Sequence, residues 1–398
     1  MVTVSLIVML ICAIPLGYWL LLALASIRSP APPAVSGRRP SNRFIIAIPA
    51  HDEENVIQTT VQRIRALAYP AELFSIHIVA DHCSDNTATL VRQAGAFAHE
   101  RNEGPRTGKG AALSWLFQRI LKDTDYDAVV IFDSDTRVDA DFLRVMDARL
   151  AQGAQVIQGQ HIISNPEDGW FPALTWAMFL IDNRYQNLGR VNLGWSAKHM
   201  GDSICFRTSV LREIGWGKGL TEDYQLRQRL LLEGVVITYE PGAKGYGEAP
   251  RSWSLARMQR ARWLRGTHDV RQQFARHLLT EGIKRRDTAL LEGAIQAYLP
   301  SYSTLTVISV FFLLIQLLIN WWLGPVFSKH LIWAWAAMTS TLFVYPFFGL
   351  ALESAPLKAF VVILSGPFFI LWRTWLALKA RFGIKEVIWI RTTHGEQR

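Results

Sequence analysis

The sequence predicts an α/β protein in which a mostly parallel sheet domain lies between an N-terminal transmembrane helix and a C-terminal group of transmembrane or interfacial helices. Three observations predict it: an uncharged run at Val2–Ile27, alternating short apolar runs and helical patterns from Arg43 to about Tyr246, and two further uncharged runs, Gly293–Ser328 and Leu331–Leu352. Of 398 residues, 50% are hydrophobic and 19% charged, too apolar for disorder and too charged for a bare bundle of membrane helices.

Val2–Ile27 is long enough to cross about 30 Å of hydrocarbon. No basic stretch precedes it, so it reads as an anchor and not as a cleaved signal peptide. The linker 28–42 is rich in Pro and Arg, and the positive-inside bias places it, with the domain that follows, in the cytoplasm. Over 43–247, Phe44–Ile48, Ser75–Ala80, Ala128–Phe132 and Val156–Gln160 read as strands. Glu54–Leu67, Thr87–Ala94 and Gly110–Leu121 read as the helices between them, which implies right-handed βαβ crossovers. Ligands on such sheets bind beyond the carboxyl ends of the strands. Those ends carry His51-Asp52-Glu53-Glu54, Asp81-His82-Cys83-Ser84-Asp85 and Asp133-Ser134-Asp135. Cys12, Cys83 and Cys205 stand at unrelated spacings, which suggests neither a disulfide framework nor a structural zinc site.

Asp133 and Asp135, one residue apart after an apolar strand, suit a hard cation such as Mg²⁺ or Mn²⁺. Gly104 to Gly110 opens a helix and brings Lys109 to where a phosphate could sit, although the spacing is not that of a P-loop. Thr221-Glu222-Asp223 heads an apolar-periodic helix, where Thr221 could cap and an acid facing a cleft could act as general base. The stretch 248–290 includes Arg251–Arg286, whose ten Lys or Arg against two acids are interleaved with Trp253, Trp263 and Phe274. Before a membrane segment this pattern predicts amphipathic helices on an anionic lipid surface and argues against nucleic acid as partner. Over 299–378 two spans are expected, with a third, short run, Ala359–Trp372, that is either re-entrant or a span; a basic tail, 379–398, follows.

In this order, Ile48-Pro49-Ala50-His51-Asp52-Glu53-Glu54, Ala80-Asp81-His82-Cys83-Ser84-Asp85, Gly108-Lys109-Gly110, Asp133-Ser134-Asp135, Thr221-Glu222-Asp223 and Gln259-Arg260-Ala261-Arg262-Trp263 resemble the membrane-bound family 2 glycosyltransferases, among them cellulose, hyaluronan and poly-N-acetylglucosamine synthases. The resemblance implies a GT-A domain that takes a nucleotide sugar, with UDP as the expected nucleotide. It implies Pro49, Glu53, Asp81, Lys109 and Asp133 around the donor, Asp133 and Asp135 on Mg²⁺ or Mn²⁺, and Asp223 as the catalytic base for inverting transfer. Glu222, Gln259, Arg262 and Trp263 would then contact acceptor and diphosphate. The expected activity is processive synthesis of a β-linked hexose or N-acetylhexosamine polymer at the cytoplasmic face of the cell membrane. The alternative is single transfer to a membrane lipid. The implied partners are the nucleotide-sugar donor, a glycan or lipid acceptor and membrane lipids.

Overall fold

The computed structural model describes residues 1–29, 33 and 37–383. The chain begins with α1 (Val2–Ala25), then β1 (Phe44–Ala50), α2 (Ile57–Arg65), β2 (Phe74–Asp81), α3 (Thr87–Gln93), β3 (Phe97–Arg101), α4 (Lys109–Ile120) and β4 (Ala128–Ile131). It continues through β5 (Arg137–Val138), α5 (Phe142–Ala151), β6 (Val156–Ile163), α6 (Trp170–Asp182), a π-helical stretch (Asn183–Gly189), the single turn α7 (Arg190–Asn192), β7 (Ile204–Arg207), α8 (Thr208–Ile214), α9 (Glu222–Leu232) and β8 (Ile237–Gly247). The C-terminal part holds α10 (Trp253–Arg285), α11 (Thr288–Tyr298), α12 (Tyr302–Leu323), α13 (Lys329–Leu352), α14 (Leu357–Ile363) and α15 (Gly366–Gly383).

Among the described residues the sheet has eight strands in the order β3-β2-β1-β4-β7-β6-β8-β5. Strands β3, β2, β1 and β4 run parallel, as do β6 and β8, while β7 and β5 pair antiparallel. The expected α/β class holds, in a mixed sheet. Alternate residues of β1 serve two cores: Phe44, Ile46 and Ile48 pack with α2 and α5, whereas Ile45 and Ala47 pack with α4 and α9. Burial on both faces is why β1 reads as a continuous apolar run. Strand β3, with the sequence Phe-Ala-His-Glu-Arg, and β8, interrupted by Pro241 and Gly242, carry no such run and escape sequence reading.

Helices α1, α12 and α13 are each long and apolar enough to cross a membrane. They share a core that includes Cys12, Trp19, Leu305, Trp335 and Leu342. Helix α14 and the first part of α15 form a bent pair, at 47°, and pack on α6 through Phe171, Leu174, Ile363 and Phe369. The uncharged run Gly293–Ser328 is not one helix. Pro300 interrupts it, and Ser301 caps the next helix by accepting from the Thr304 N–H at 3.2 Å, so α11 and α12 are separate. The basic stretch expected to form several helices is mostly one, the 33-residue α10, which starts at Ser252 and ends at Arg286 in the left-handed conformation. Of the expected basic tail, residues 384–398 lie outside the described residues.

Glu292 of α11 joins the sheet domain to the membrane helices. Its carboxylate accepts from Tyr18 of α1 at 2.6 Å, from Arg190 of α7 at 2.7 Å and from Arg227 of α9 at 3.0 Å. All three charged groups are buried. Burial opposes the Glu292 charge, yet Arg190 and Arg227 hold its carboxyl below the usual value.

Candidate functional site

Because β2, β1 and β4 are parallel neighbours, the loops that follow them meet at one edge. There the first two acidic loops are laced together. Asp52 accepts from the Ser84 N–H at 2.6 Å, the Glu54 N–H donates to Asp85 at 3.0 Å, and the Glu53 N–H donates to Thr87 at 2.8 Å. Asp52 and His82 both adopt φ of 52°, a left-handed conformation uncommon outside glycine, which concentrates backbone strain at this rim. Pro49 lies within β1 and Glu53, buried, just beyond it. Asp81 ends β2 in a buried ion pair with Arg101 of β3 and accepts from His82 at 2.9 Å.

His51, Asp52 and Cys83 converge, with one ligand atom from each lying within 4.8 Å of the others. Two loops far apart in sequence supply this group, so spacing alone does not reveal it. Burial, with Asp52 and Asp85 nearby, pushes the Cys83 thiol up to about 11, so it is protonated at neutral pH.

The loop after β4 carries Asp133 and Asp135. Lys109, at the start of α4, forms an ion pair with Asp133 and donates to the Gly201 carbonyl at 2.5 Å. Behind them lies Asp202, which sequence reading left without a role. It accepts from the Asp133 N–H at 3.1 Å and from Ser203 at 3.1 Å, and it pairs with His161 of β6 at 3.0 Å. Burial opposes the charge on His161, but the bond to Asp202 and the carboxylates of Asp133 and Asp135 hold the imidazole pKa up. Burial likewise opposes the charge on Lys109, and Asp133, Asp202 and Glu222 hold its ammonium above the ordinary value. Acids thus concentrate around Asp133 and Asp135, whose carboxylate oxygens are the donors a hard cation takes. The residues fit Mg²⁺ or Mn²⁺.

Glu222 and Asp223 form the first turn of α9, where the helix dipole favours their charge. The Thr221 hydroxyl does not cap the helix as expected; its oxygen is buried and unbonded, and its side chain meets α10 instead. A Cβ on Gly110 would come 3.0 Å from Glu222, so glycine there lets α4 approach α9. Burial and the neighbouring Asp223 push the Glu222 carboxyl up to about 7. Burial also raises Asp223, opposed by the Tyr224 N–H, which donates to it at 2.7 Å, and by the charges of Lys109 and Arg262. A carboxylate with a raised pKa is a stronger base near neutrality.

Asp223 lines a cavity of about 760 Å³. Trp263 and Thr267 of α10 also line it, together with residues of α1 (Tyr18, Trp19), α12 (Tyr302), α13 (Tyr345) and α15 (Phe369). Trp263 therefore lines the same cavity as Asp223. Arg262 acts on the charges of Glu222 and Asp223, while neither it nor Gln259 lines the cavity. A Cβ on Gly266 would sit 2.5 Å from the Thr221 side chain, so α10 touches the chain directly before the two acids.

The family model described as "Glycosyltransferase like family 2" matches residues 40–266, more than half of the chain. Poly-beta-1,6-N-acetyl-D-glucosamine synthase of Staphylococcus aureus (strain MSSA476) is 29% identical over 57% of this chain and 54% of its own length. Beta-monoglucosyldiacylglycerol synthase of Synechocystis sp. is 25% identical over 63% of this chain and 54% of its own. The match thus spans about half the length of these relatives. Among solved structures, a mannosyltransferase from Pyrobaculum calidifontis in complex with GDP-Man and Mn²⁺ superposes with a TM-score of 0.59 and 17% identity, over 97% of this chain and 100% of that one.

Proposed function

Given that the chain belongs to glycosyltransferase family 2, we propose that it moves a sugar from a nucleotide-sugar donor to an acceptor hydroxyl held at the cytoplasmic membrane face, with inversion at the anomeric carbon. The observation that carries this reading is a single cavity shared by the candidate base, Asp223, and the ends of helices apolar enough to span a membrane. The nucleotide, with UDP expected, would sit at the rim of β1, β2 and β4, near Pro49, Glu53, Asp81 and Lys109. A divalent cation at Asp133 and Asp135 would neutralise charge on the departing diphosphate.

The chain's own residues supply the remaining chemistry. Asp223 takes the proton from the attacking hydroxyl, and its raised pKa favours that step near neutrality. Lys109 and Arg262 place positive charge beside the acids, where negative charge leaves with the nucleotide. Trp263 offers an aromatic face to the acceptor. Asp202 fixes the Asp133 backbone and positions the loop without touching the reacting atoms.

The acceptor we favour is a membrane lipid. Tyr345 lines both the main cavity and an apolar groove of about 320 Å³ formed by Leu20, Ala23, Leu24, Val344 and Phe348, so acyl chains and headgroup have adjoining places. A second reading, growth of a polysaccharide, is favoured by the aromatic walls at Tyr18, Trp19, Trp263 and Tyr302, onto which sugar rings can stack.

The test is full-length protein in lipid nanodiscs with radiolabelled UDP- and GDP-sugars and Mg²⁺ or Mn²⁺. One sugar passing into the organic phase supports the lipid reading, a ladder of many sugars supports the polymer, and the absence of transfer from any nucleotide sugar removes both.

A further inference from the structure

Arg260, Arg271 and Arg373 line the Asp223 cavity and have no role in the chemistry above. Arg260 and Arg262 are two residues apart on α10, so they point about 200° apart around its axis. Arg262 influences Glu222 and Asp223, whereas Arg260 lies on the cavity stripe with Trp263, Leu264, Thr267 and Arg271. Arg260 is 8% exposed. Its guanidinium stacks over Trp263 at 5.1 Å and Phe369 at 5.5 Å, and its Nε has no hydrogen-bond partner. Arg373 of α15 lines the same cavity.

Among the described residues no carboxylate pairs with either guanidinium. The nearby acid, Asp182, is bonded to Lys198 at 2.8 Å. Of the other cavity arginines, Arg190 and Arg227 are satisfied by Glu292 and Arg271 is exposed, which leaves Arg260 and Arg373 without a carboxylate ion pair among the described residues. Burial, with the charge of Arg373 beside it, pushes Arg260 down to about 9. Holding two cations together out of water is costly unless an anion joins them. Guanidinium forks match phosphate oxygens bidentately.

We propose that Arg260 and Arg373 form a subsite for a phosphoryl group carried by the membrane-lipid acceptor, so that the acceptor is an anionic, phosphate-bearing lipid. This rests on the lipid reading above and narrows it. A phosphate in the donor has the same chemistry, but Arg260 faces away from the Lys109 and Glu222 side on which the donor would lie. The subsite orients the lipid so that its free hydroxyl reaches Asp223.

The test measures binding apart from turnover. Full-length protein in neutral detergent is titrated with dioleoyl phosphatidic acid and, separately, with dioleoylglycerol, and bound lipid is read by native mass spectrometry. UDP and GDP with Mn²⁺ are titrated in parallel. Wild type should hold phosphatidic acid at least ten-fold more tightly than dioleoylglycerol. Arg373→Gln should erase most of that preference, Arg373→Lys should retain part of it, and both should bind nucleotide within two-fold of wild type. Arg260→Gln should act like Arg373→Gln, with its melting temperature as a control for folding. Equal binding of the two lipids by wild type would overturn the subsite, as would a preference that survives both Gln variants. Loss of nucleotide affinity in the variants would also overturn it, by assigning the pair to the donor. If transfer to a neutral lipid proceeds in phosphate-free nanodiscs as fast as to any other, the subsite fails while the transferase reading stands.

Discussion

At the scale of single residues, the two acids at the head of α9 bring out a conflict between stability and activity. Glu222 has its folded-state pKa raised from 4.5 to about 7. A raised pKa means that the folded protein binds the proton more tightly than the unfolded chain. The stability this gives is complete below about pH 4.5 and is lost as pH rises through about 7. Glu222→Gln, neutral at every pH, should therefore stabilise the protein by about 1–3 kcal/mol at pH 8 and make little difference at pH 4. Thermal melts at the two pH values measure it, and an unchanged melt at pH 8 would remove the buried-charge account. Asp223→Asn should lower transfer by at least about a hundred-fold while nucleotide binding stays within a few fold, because it removes a base and no donor contact. Loss of both together would end its assignment as base. Asp135→Ala should weaken metal-dependent nucleotide binding, so that added chelator has less to remove; an unaltered chelator response would count against the metal role.

At the scale of elements, α10 is the connection between chemistry and membrane. Its Gly266 meets Thr221, its Arg262 influences the acids, and its Arg260 and Trp263 line the cavity. Gly266→Leu should push α10 away from α9 and reduce kcat by about ten-fold or more, since misplacing reacting groups by 1 Å costs that order of rate. Trp263→Ala, at the half-buried stripe, should harm turnover with little change in melting temperature. A Gly266→Leu enzyme with normal kcat would show that α9 and α10 need not touch. The motif Gln259 to Trp263 was legible as a string, but its division between two helix faces follows from helical geometry and required knowing what each face meets.

At the scale of the whole molecule, Glu292 holds the sheet domain to the membrane helices through Arg190, Arg227 and Tyr18. Glu292→Leu should destabilise the protein by about 3–5 kcal/mol, because it leaves two buried arginines uncompensated. Its folded-state pKa is lowered, so its contribution is present above the ordinary carboxyl range and fades as pH falls through the lowered value. A melting temperature unaffected by the substitution would mean that apolar packing alone joins the two parts.

The sequence by itself determined the α/β class, the parallel strands, the apolar spans and the residues that carry the candidate chemistry. Buried strands and membrane segments are written as local runs, and a carboxylate pair after a strand is visible wherever it stands. What only the tertiary structure decided is which of these residues meet. Strands β3 and β8 lack a continuous apolar run, β7 offers only three apolar residues, and all are held by their neighbours. The group of His51, Asp52 and Cys83, the support of Asp133 by Asp202 and His161, and the Glu292 junction all join residues 30 or more positions apart. The cavity arises where helices of the sheet domain meet the apolar helices, and its excess of positive charge is a property of the packing: Arg260 and Arg373 are ordinary arginines until α10 and α15 bring them into one space whose nearby acid, Asp182, is paired with Lys198.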